Sequence, residues 1–334
     1  MRLLIRPRLP VLALLLLAPS IPELLTGSTP VSRLLSDPAG FAVSYLLDVG
    51  LYGTGALLIR ECSVLLRKDW ASVLLWGAAY GIAEEGLAVH TFFERSGPPV
   101  GALTTYGSAY GVNALWALGL TIFHATYSIA LPILLTYLWF PKVRDRRWVD
   151  RSGLVVVAAV YLGLVVVFAR LVGHGPSLPL LSVFLGIEAV LVLAGSLVPA
   201  NLLRSHPGPR TIGRTGLGVA GALEWLAWVV VLAASGGGRI PAVAAAGVIA
   251  VGNGGALAVV VRRAGSEDLD RSKFAFAVGM LVPLFVWDAF LEPAIPGILA
   301  VAALFAYLLY RLGRTLDRRA VAFTLAGASG PSPR

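Results

Sequence analysis

The sequence has few of the residues that disulfide and metal sites require. It contains one cysteine and four histidines among 334 residues. A single cysteine excludes an internal disulfide and a multi-cysteine zinc or iron–sulfur site, and four histidines leave little room for a His-rich metal centre. Charged residues make up only 13% of the chain, against about 25% in average soluble domains. This scarcity excludes ordinary soluble, disordered and collagen-like classes.

Apolar residues are in excess, at 57% of the chain, and they are collected into long blocks. A bilayer requires about 20 apolar residues per helix, and the blocks do not alternate in polarity as barrel strands would. They cover residues 9–26, 39–59, 70–92, 112–139, 153–172, 178–203, 217–235, 240–261, 274–291 and 294–312. The predicted fold is therefore all-α, a polytopic transmembrane bundle of about ten helices. Residues 1–320 are predicted to form one membrane domain, and residues 321–334 a short flexible cytoplasmic tail.

The distribution of positive charge predicts the orientation of the bundle. Of the 27 lysines and arginines, 23 lie in segments that are cytoplasmic if the N-terminus is inside, and only Arg33, Arg95 and Arg239 lie in opposite loops. This asymmetry follows the positive-inside rule, so both termini are predicted to be cytoplasmic. The net charge of +9 is then a consequence of topology, and no nucleic-acid partner is expected. The predicted partner is the lipid bilayer, with basic loops against anionic headgroups.

The first block also has features of a secretory signal, because residues 1–8 are basic and residues 9–17 are apolar. Pro19, Pro22 and Glu23 follow without a clear cleavage site, which favours an uncleaved first helix. Arginine outnumbers lysine 24 to 3. Together with the abundance of Ala, Gly, Val and Leu, this bias favours the plasma membrane of a prokaryote.

A few ionisable residues lie inside the predicted spans, where such groups are costly and usually functional. Counting about 1.5 Å per helical residue places Asp48, Glu84, His124 and Glu188 at similar depth in the outer half of the bilayer, with Glu224 deeper. Ionisable residues that share one depth indicate a single functional site, whereas unrelated residues would be spread over several depths.

Helical spacing distinguishes the two adjacent glutamates. Gly77, Gly81 and Glu85 recur every four residues on one stripe, where small residues allow another helix to approach closely. Glu85 is therefore expected to be the more buried glutamate. Glu84 continues a neighbouring stripe of aromatic residues, where a wider gap is expected to hold water.

The fourth span carries a polar stripe on an otherwise apolar helix. Asn113, Thr121, His124 and Ser128 are expected to share one face, and Pro132 is expected to kink the helix one turn later. The third and fourth spans are expected to pack together, with one glutamate within about 5 Å of His124.

A carboxylate beside a neutral imidazole can activate water. If the site holds a divalent metal such as zinc, Glu84 and His124 are its expected ligands. The predicted catalytic residues are Glu84, Glu85 and His124, and the predicted supporting polar residues are Asn113, Ser128, Asp48 and Glu188.

Glu84-Glu85 in one span, followed by a His-bearing span, resembles the CAAX-protease and bacteriocin-processing (Abi) group of intramembrane proteases. That group carries Glu-Glu-x-x-x-Arg, then Phe-x-x-x-His, then His-x-x-x-Asn on successive helices. The resemblance implies that Glu84 activates water with His124 and that Glu85 supports the site. It covers residues 83–131 of the chain.

The sequence departs from these motifs at several positions. Val89 stands at the Arg position of the first motif, and Leu120 stands at the Phe position of the second. If His124 is assigned to the third motif, Ser128 stands at the Asn position. The only other histidine of a predicted span, His90, lies near the outer end of the third span. The group's oxyanion stabiliser therefore has no evident counterpart, although Asn113 or Ser128 could substitute for it.

Two other functions are compatible with the same residues. Several carboxylates in the outer half favour a proton- or cation-coupled carrier, although the two halves of the chain show no repeat of the kind common in transporters. A noncatalytic scaffold or lipid-handling protein would use the acids as contacts between helices. The sequence does not assign a substrate or an oligomeric state.

Overall fold

The computed structural model is almost entirely helical and describes residues 8–93, 106–173, 175–203, 211–235, 240–263 and 269–328. Several helices contain π-helical segments, which are labelled π1–π4. A short antiparallel hairpin, β1 (Ser108–Ala109) with β2 (Val112–Asn113), precedes α6. The helices in chain order are α1 (Arg8–Pro19), π1 (Ser20–Leu24), α2 (Arg33–Ser36), α3 (Pro38–Asp48), π2 (Val49–Gly53), α4 (Thr54–Leu65), α5 (Trp70–Ile82), π3 (Ala83–Ala88), α6 (Ala114–Phe123), π4 (His124–Ala130), α7 (Leu131–Trp139), α8 (Arg151–Val172), α9 (Leu178–Leu197), α10 (Arg214–Ser235), α11 (Ala242–Arg263), α12 (Leu269–Leu291) and α13 (Ile298–Ala328).

The predicted all-α polytopic bundle is confirmed. Eight helical segments among the described residues are long and apolar enough to cross a membrane, from Pro38–Leu65 to Ile298–Ala322. The two remaining predicted spans are also helical: α1 with π1, and α5 with π3. The first of these is short, with segments of 12 and 5 residues, and the second contains both glutamates. The orientation of the bundle, with both termini in the cytoplasm, stays a prediction.

Aspartates begin several helices. The side chains of Asp37, Asp69 and Asp150 accept hydrogen bonds from the first-turn amides of α3, α5 and α8 at 2.9, 2.7 and 2.7 Å. These carboxylates satisfy backbone N–H groups that have no partner within the helix, as N-caps do. Gly173 follows the last residue of α8 with φ +79°, a conformation that favours glycine. Short polar segments thus set the ends of the apolar helices.

The second span extends beyond its predicted end at residue 59, because α4 continues to Leu65. Arg60 was expected in a cytoplasmic loop, but it is fully buried, as is Glu61. The two side chains form an ion pair, and the Arg60 guanidinium lies 3.7 Å from the centre of the Trp148 ring. Glu61 also accepts the backbone N–H of Trp148 at 3.0 Å. The loop after α7 therefore folds over α4 and allows two charged residues to be buried together.

The last helix is longer than predicted. It continues to Ala328, through the first part of the predicted flexible tail, while residues 329–334 lie outside the described residues. Leu312 and Leu316 are buried on one side of it, and the charged residues Arg314 and Arg318 each follow one of these leucines by two positions. This amphipathic pattern extends the helix beyond the apolar block, and the next proline comes only at Pro331.

The helices differ strongly in how much of their surface is covered. Helices α8 and α9 are apolar but largely exposed, and the few buried residues of the two include Tyr161 and Phe184. The segment from Ala114 to Trp139 is the most buried of the eight candidate spans. Helices α1, α4 and α5 surround this segment, and it carries His124 at its middle. The fold therefore places the predicted histidine at the centre of the first half of the bundle.

Candidate functional site

π-helical segments hold the principal residues of the site. Glu84 and Glu85 lie in π3, and His124 is the first residue of π4. Such segments are rare and are frequently found at functional sites. For π4 the sequence supplies a cause, because Pro132 cannot donate a backbone hydrogen bond to the carbonyl four residues earlier. A π-helical segment from His124 to Ala130 thus precedes Pro132, and the expected kink at Pro132 itself stays a prediction.

The helices that carry the glutamates and the histidine contact each other through glycine. A Cβ atom added to Gly77 would lie 2.9 Å from the Cα atom of Ala125, and one added to Gly81 would lie 2.9 Å from the Cβ atom of His124. Contacts this short leave no room for a side chain. The predicted packing of the third and fourth spans along the Gly77–Gly81 stripe is confirmed.

Glu84, Glu85 and His124 form one buried cluster. The Nε2 atom of His124 lies 2.8 Å from Oε1 of Glu85, and its Nδ1 atom lies 2.9 Å from Oε2 of Glu84. Nδ1 is also 2.9 Å from the hydroxyl of Ser128. The imidazole thus lies between two adjacent carboxylates, and the predicted distance between the glutamates and His124 is confirmed.

The two glutamates differ in how their oxygens are used. Both oxygens of Glu85 have partners, His124 Nε2 and the hydroxyl of Thr91. Oε1 of Glu84 accepts the hydroxyl of Tyr52, but Oε2 has no hydrogen bond of good geometry within the described part of the chain. Its 2.9 Å approach to Nδ1 is an ion-pair distance without hydrogen-bond direction, since Nδ1 is hydrogen-bonded to Ser128. Glu84 Oε2 is therefore the open acceptor of the cluster.

The expected order of burial is wrong. Glu84 is 3% exposed and Glu85 is 7% exposed, so both are buried and Glu84 slightly more so. The prediction extended a four-residue stripe through Glu85, but π3 has wider turns than an α-helix. The aromatic side of Glu84 is also filled, because the rings of Tyr52 and Tyr80 lie 5.9 and 6.0 Å from the imidazole ring. The expected wide gap beside Glu84 is thus occupied by aromatic side chains.

A chain of polar side chains extends from the cluster toward the N-terminal helices. The hydroxyl of Tyr52 contacts Glu84 and also lies 2.6 Å from Oε1 of Glu23. The hydroxyl of Thr29 lies 2.9 Å from Glu23 and 3.1 Å from Asp48. Asp48 was predicted as a supporting residue, and it reaches the cluster through these intermediates rather than directly.

Sequence reasoning missed Glu23, Thr29 and Tyr52 as parts of this site. Tyr52 follows Asp48 by four residues, which places both on one helical face and is a usable signal. Glu23 lies in the Pro-rich end of the first block and was considered only for signal cleavage. Its role depends on how the first helix packs, which spacing within one helix does not reveal.

Two of the predicted supporting residues do not join the cluster. Asn113 is buried in β2 and accepts a hydrogen bond from the Ser108 hydroxyl at 2.7 Å. The helix begins only at Ala114, because Gly107 and Gly111 adopt positive φ angles and turn the preceding chain into a hairpin. Asn113 therefore does not extend the polar stripe of His124. Glu188 is half-buried on α9 and makes no hydrogen bond to the cluster among the described residues.

The cluster also has the composition of a metal site. Glu84, Glu85 and His124 each offer a ligand atom, and these atoms lie within 4.8 Å of one another. Catalytic zinc is held by three protein ligands, with the fourth position left for water, and two carboxylates with one imidazole supply that number of ligands. The open Oε2 atom of Glu84 is the acceptor that an ion would satisfy. The residues present thus fit a divalent metal.

Comparison with known proteins identifies a family but no characterised relative. No curated protein and no solved structure matches the chain. The model of one family, described as an uncharacterized membrane protein family, matches residues 12–329. With nearly the whole chain covered and a bundle of apolar helices around a buried Glu-Glu-His cluster, the protein belongs to this uncharacterized membrane protein family.

Proposed function

We propose that the protein is a membrane-embedded hydrolase that activates water at the Glu84–His124–Glu85 cluster. The observation that carries the proposal is the convergence of two carboxylates and an imidazole in one buried site, with Glu84 Oε2 left as an open acceptor. A water hydrogen-bonded to this oxygen would lose a proton to Glu84 as it attacks a substrate carbonyl. The adjacent imidazole would stabilise the resulting charges.

Glu85 has a different role in this proposal. Its two oxygens are engaged by His124 and Thr91, so it orients the imidazole instead of binding water. Tyr52 holds the other oxygen of Glu84 in the same way. Residues fixed by such partners keep the reacting groups within hydrogen-bond reach of one another.

A bound zinc ion would supply Lewis-acid chemistry and lower the pKa of its water. The ligands offered by this chain are His124 and the two glutamates. Ser128 at the His124 ring and Tyr52 at Glu84 would orient these ligands.

The substrate class that we propose is a peptide bond within or beside the bilayer. The basis is the motif resemblance to CAAX-protease and Abi-type intramembrane proteases, to which Glu84, Glu85 and His124 correspond. Val89 and Leu120 depart from those motifs. In place of a second intramembrane histidine, the hydroxyl of Ser128 beside His124 is a donor that could stabilise an oxyanion. We also propose the plasma membrane of a prokaryote as the location, on the charge asymmetry and arginine-rich composition.

The test compares Glu84→Gln with Glu85→Gln in the purified full-length protein. Hydrolysis of a fluorogenic transmembrane peptide and binding of Zn²⁺ are measured for both, with Glu188→Gln as the matched control because Glu188 lies outside the cluster. We expect Glu84→Gln to abolish hydrolysis, Glu85→Gln to reduce both stability and hydrolysis, and Glu188→Gln to leave both unchanged. Full hydrolysis by Glu84→Gln would exclude Glu84 from the mechanism.

A second candidate function is a proton- or cation-coupled carrier. The observation that favours it is the chain of hydroxyls and carboxylates from Asp48 through Thr29, Glu23 and Tyr52 to Glu84. Alternating carboxylates and hydroxyls can pass a proton along such a chain. Proteoliposomes loaded with a pH-sensitive dye distinguish the two functions. A proton flux that is lost in Tyr52→Phe, in a protein without hydrolytic activity, would favour the carrier.

A further inference from the structure

We infer that a cavity on the opposite side of π4 from the Glu84–His124 cluster is a binding site for one anionic phospholipid. The cavity has a volume of about 1360 Å³, larger than the roughly 300–1,000 Å³ of typical small-molecule pockets. Its walls come from α5, π4, α7, α11 and α12. Ile122, Ala125 and Thr126 line it, whereas His124, on the same helix, faces the cluster.

The mouth of the cavity carries a net positive charge. Three acidic residues there are outnumbered by six basic ones, and Asp317 forms an ion pair with one of the six, Arg271, which leaves a formal charge of about +2. The acids are Asp69, Asp145 and Asp270, and the bases are Arg67, Lys68, Arg144, Arg271, Lys273 and Arg319.

Two of these cations donate to backbone carbonyls and not to acids. Lys68 donates to the carbonyl of Val198 at 2.9 Å, and Arg319 donates to the carbonyl of Leu138 at 2.8 Å. A carbonyl carries no net charge, so these side chains are oriented while their positive charge remains. In the predicted topology the mouth faces the cytoplasm, where basic pockets between helices bind anionic headgroups.

The interior of the cavity is apolar and has the depth of one leaflet. Leu74, Leu134 and Leu257 line its middle, and Glu224 and Asn253 mark its inner end. Glu224 is ten residues from the start of α10 and Asn253 is ten from the end of α11, which places both roughly 15 Å from those helix ends. This is half of the roughly 30 Å hydrocarbon core, the length available to one acyl chain.

The inner end of the cavity would limit the length of that chain. Glu224 is 4% exposed, and its Oε2 atom has no hydrogen-bond partner within the described ranges. An acyl chain extended past this level would cover polar oxygens without pairing them, which is unfavourable. The charge at the mouth, the apolar walls and the polar inner end together fit a phosphate headgroup followed by acyl chains of one leaflet's length.

This inference does not depend on the proposed hydrolase, because no residue of the Glu84–His124–Glu85 cluster lines the cavity. The test uses delipidated full-length protein and native mass spectrometry, with titration by phosphatidylglycerol, by phosphatidylcholine and by inorganic phosphate. We expect one tightly bound phosphatidylglycerol, much weaker phosphatidylcholine binding and no competition by phosphate. Equal binding of the two lipids, or full competition by phosphate alone, would overturn the proposal.

Two variants locate the binding. Arg67→Gln removes an exposed charge at the mouth and should weaken phosphatidylglycerol binding about fivefold, the effect of one cation near an anionic surface. Ala130→Trp fills the apolar wall and should abolish binding while the mouth keeps its charge. Arg33→Gln is the control, since Arg33 is an exposed arginine outside the cavity. Unchanged binding in both test variants, with unchanged melting temperature, would show that the lipid lies elsewhere.

Discussion

Gly81→Ala is predicted to disturb the site without touching any of its polar groups. The new Cβ atom would lie 2.9 Å from Cβ of His124 and 3.2 Å from Cα of Thr121. Both of these atoms are held by the backbone of the facing helix, so no side-chain rotation relieves the contact. Reaching an ordinary carbon–carbon separation of about 3.5–4.0 Å requires the helices to move apart by roughly 0.6–1 Å.

The size of the effect follows from a matched comparison with Gly163→Ala. Gly163 lies within α8, and a Cβ added there meets no atom within 4 Å. Replacing glycine by alanine within a helix stabilises the helix by about 1 kcal/mol at either site. The difference between the two variants in free energy of unfolding therefore isolates the cost of overpacking, which is typically about 1–3 kcal/mol. The shift would also lengthen the 2.8 Å contact between His124 and Glu85 beyond good hydrogen-bond range.

The assay is reversible unfolding in mixed micelles, together with hydrolysis and Zn²⁺ binding. We expect Gly163→Ala to be as stable as the wild type or slightly more stable. Gly81→Ala should be less stable than Gly163→Ala by the overpacking cost. It should also lose about 100-fold in hydrolytic activity, which is the loss associated with a 1 Å misplacement of reacting groups. If the two variants have equal stability and Gly81→Ala keeps full activity, the helices are not in close contact at Gly81 and the reasoning is refuted.

Three other substitutions test separate parts of the structure. Arg60→Met should destabilise the protein by up to about 3–5 kcal/mol, because it removes the closest cation from the buried Glu61 and leaves only Arg147 at 3.7 Å. Changing both Arg60 and Glu61 to apolar residues should recover much of the loss in the same unfolding assay. Tyr52→Phe should cost about 1–3 kcal/mol by leaving Glu84 without its hydroxyl partner, and an unchanged unfolding midpoint would contradict that contact. Backbone N–H groups of Gly297 and Leu299 lower the pKa of Glu292 below its usual value of 4.5. Glu292→Gln should therefore lower the melting temperature at neutral pH, and the difference should vanish as the pH falls through that lowered pKa. A difference that persists at low pH would show that the carboxylate charge is not responsible.

The amino-acid sequence by itself determined the class of the protein and the approximate positions of its helices. Apolar blocks of bilayer length require helices because unpaired backbone groups are too costly in lipid. Local spacing also identified Glu84, Glu85, His124 and Ser128, since adjacent or i,i+4 residues on one helix are related by geometry that needs no partner. The Gly77–Gly81 stripe predicted a close helix contact for the same reason.

Only the tertiary structure decided how the helices meet. Glu23, Thr29 and Tyr52 reach the site because the N-terminal helices pack against the cluster, and no periodicity within one segment contains that information. Arg60 is buried because a distant loop folds over it, although its position next to a span end indicates a loop. The π-helical turns alter side-chain directions that ideal α-helical spacing assumes, which reversed the expected burial of Glu84 and Glu85. Spacing along one helix describes that helix alone, whereas a site between helices depends on how several of them pack.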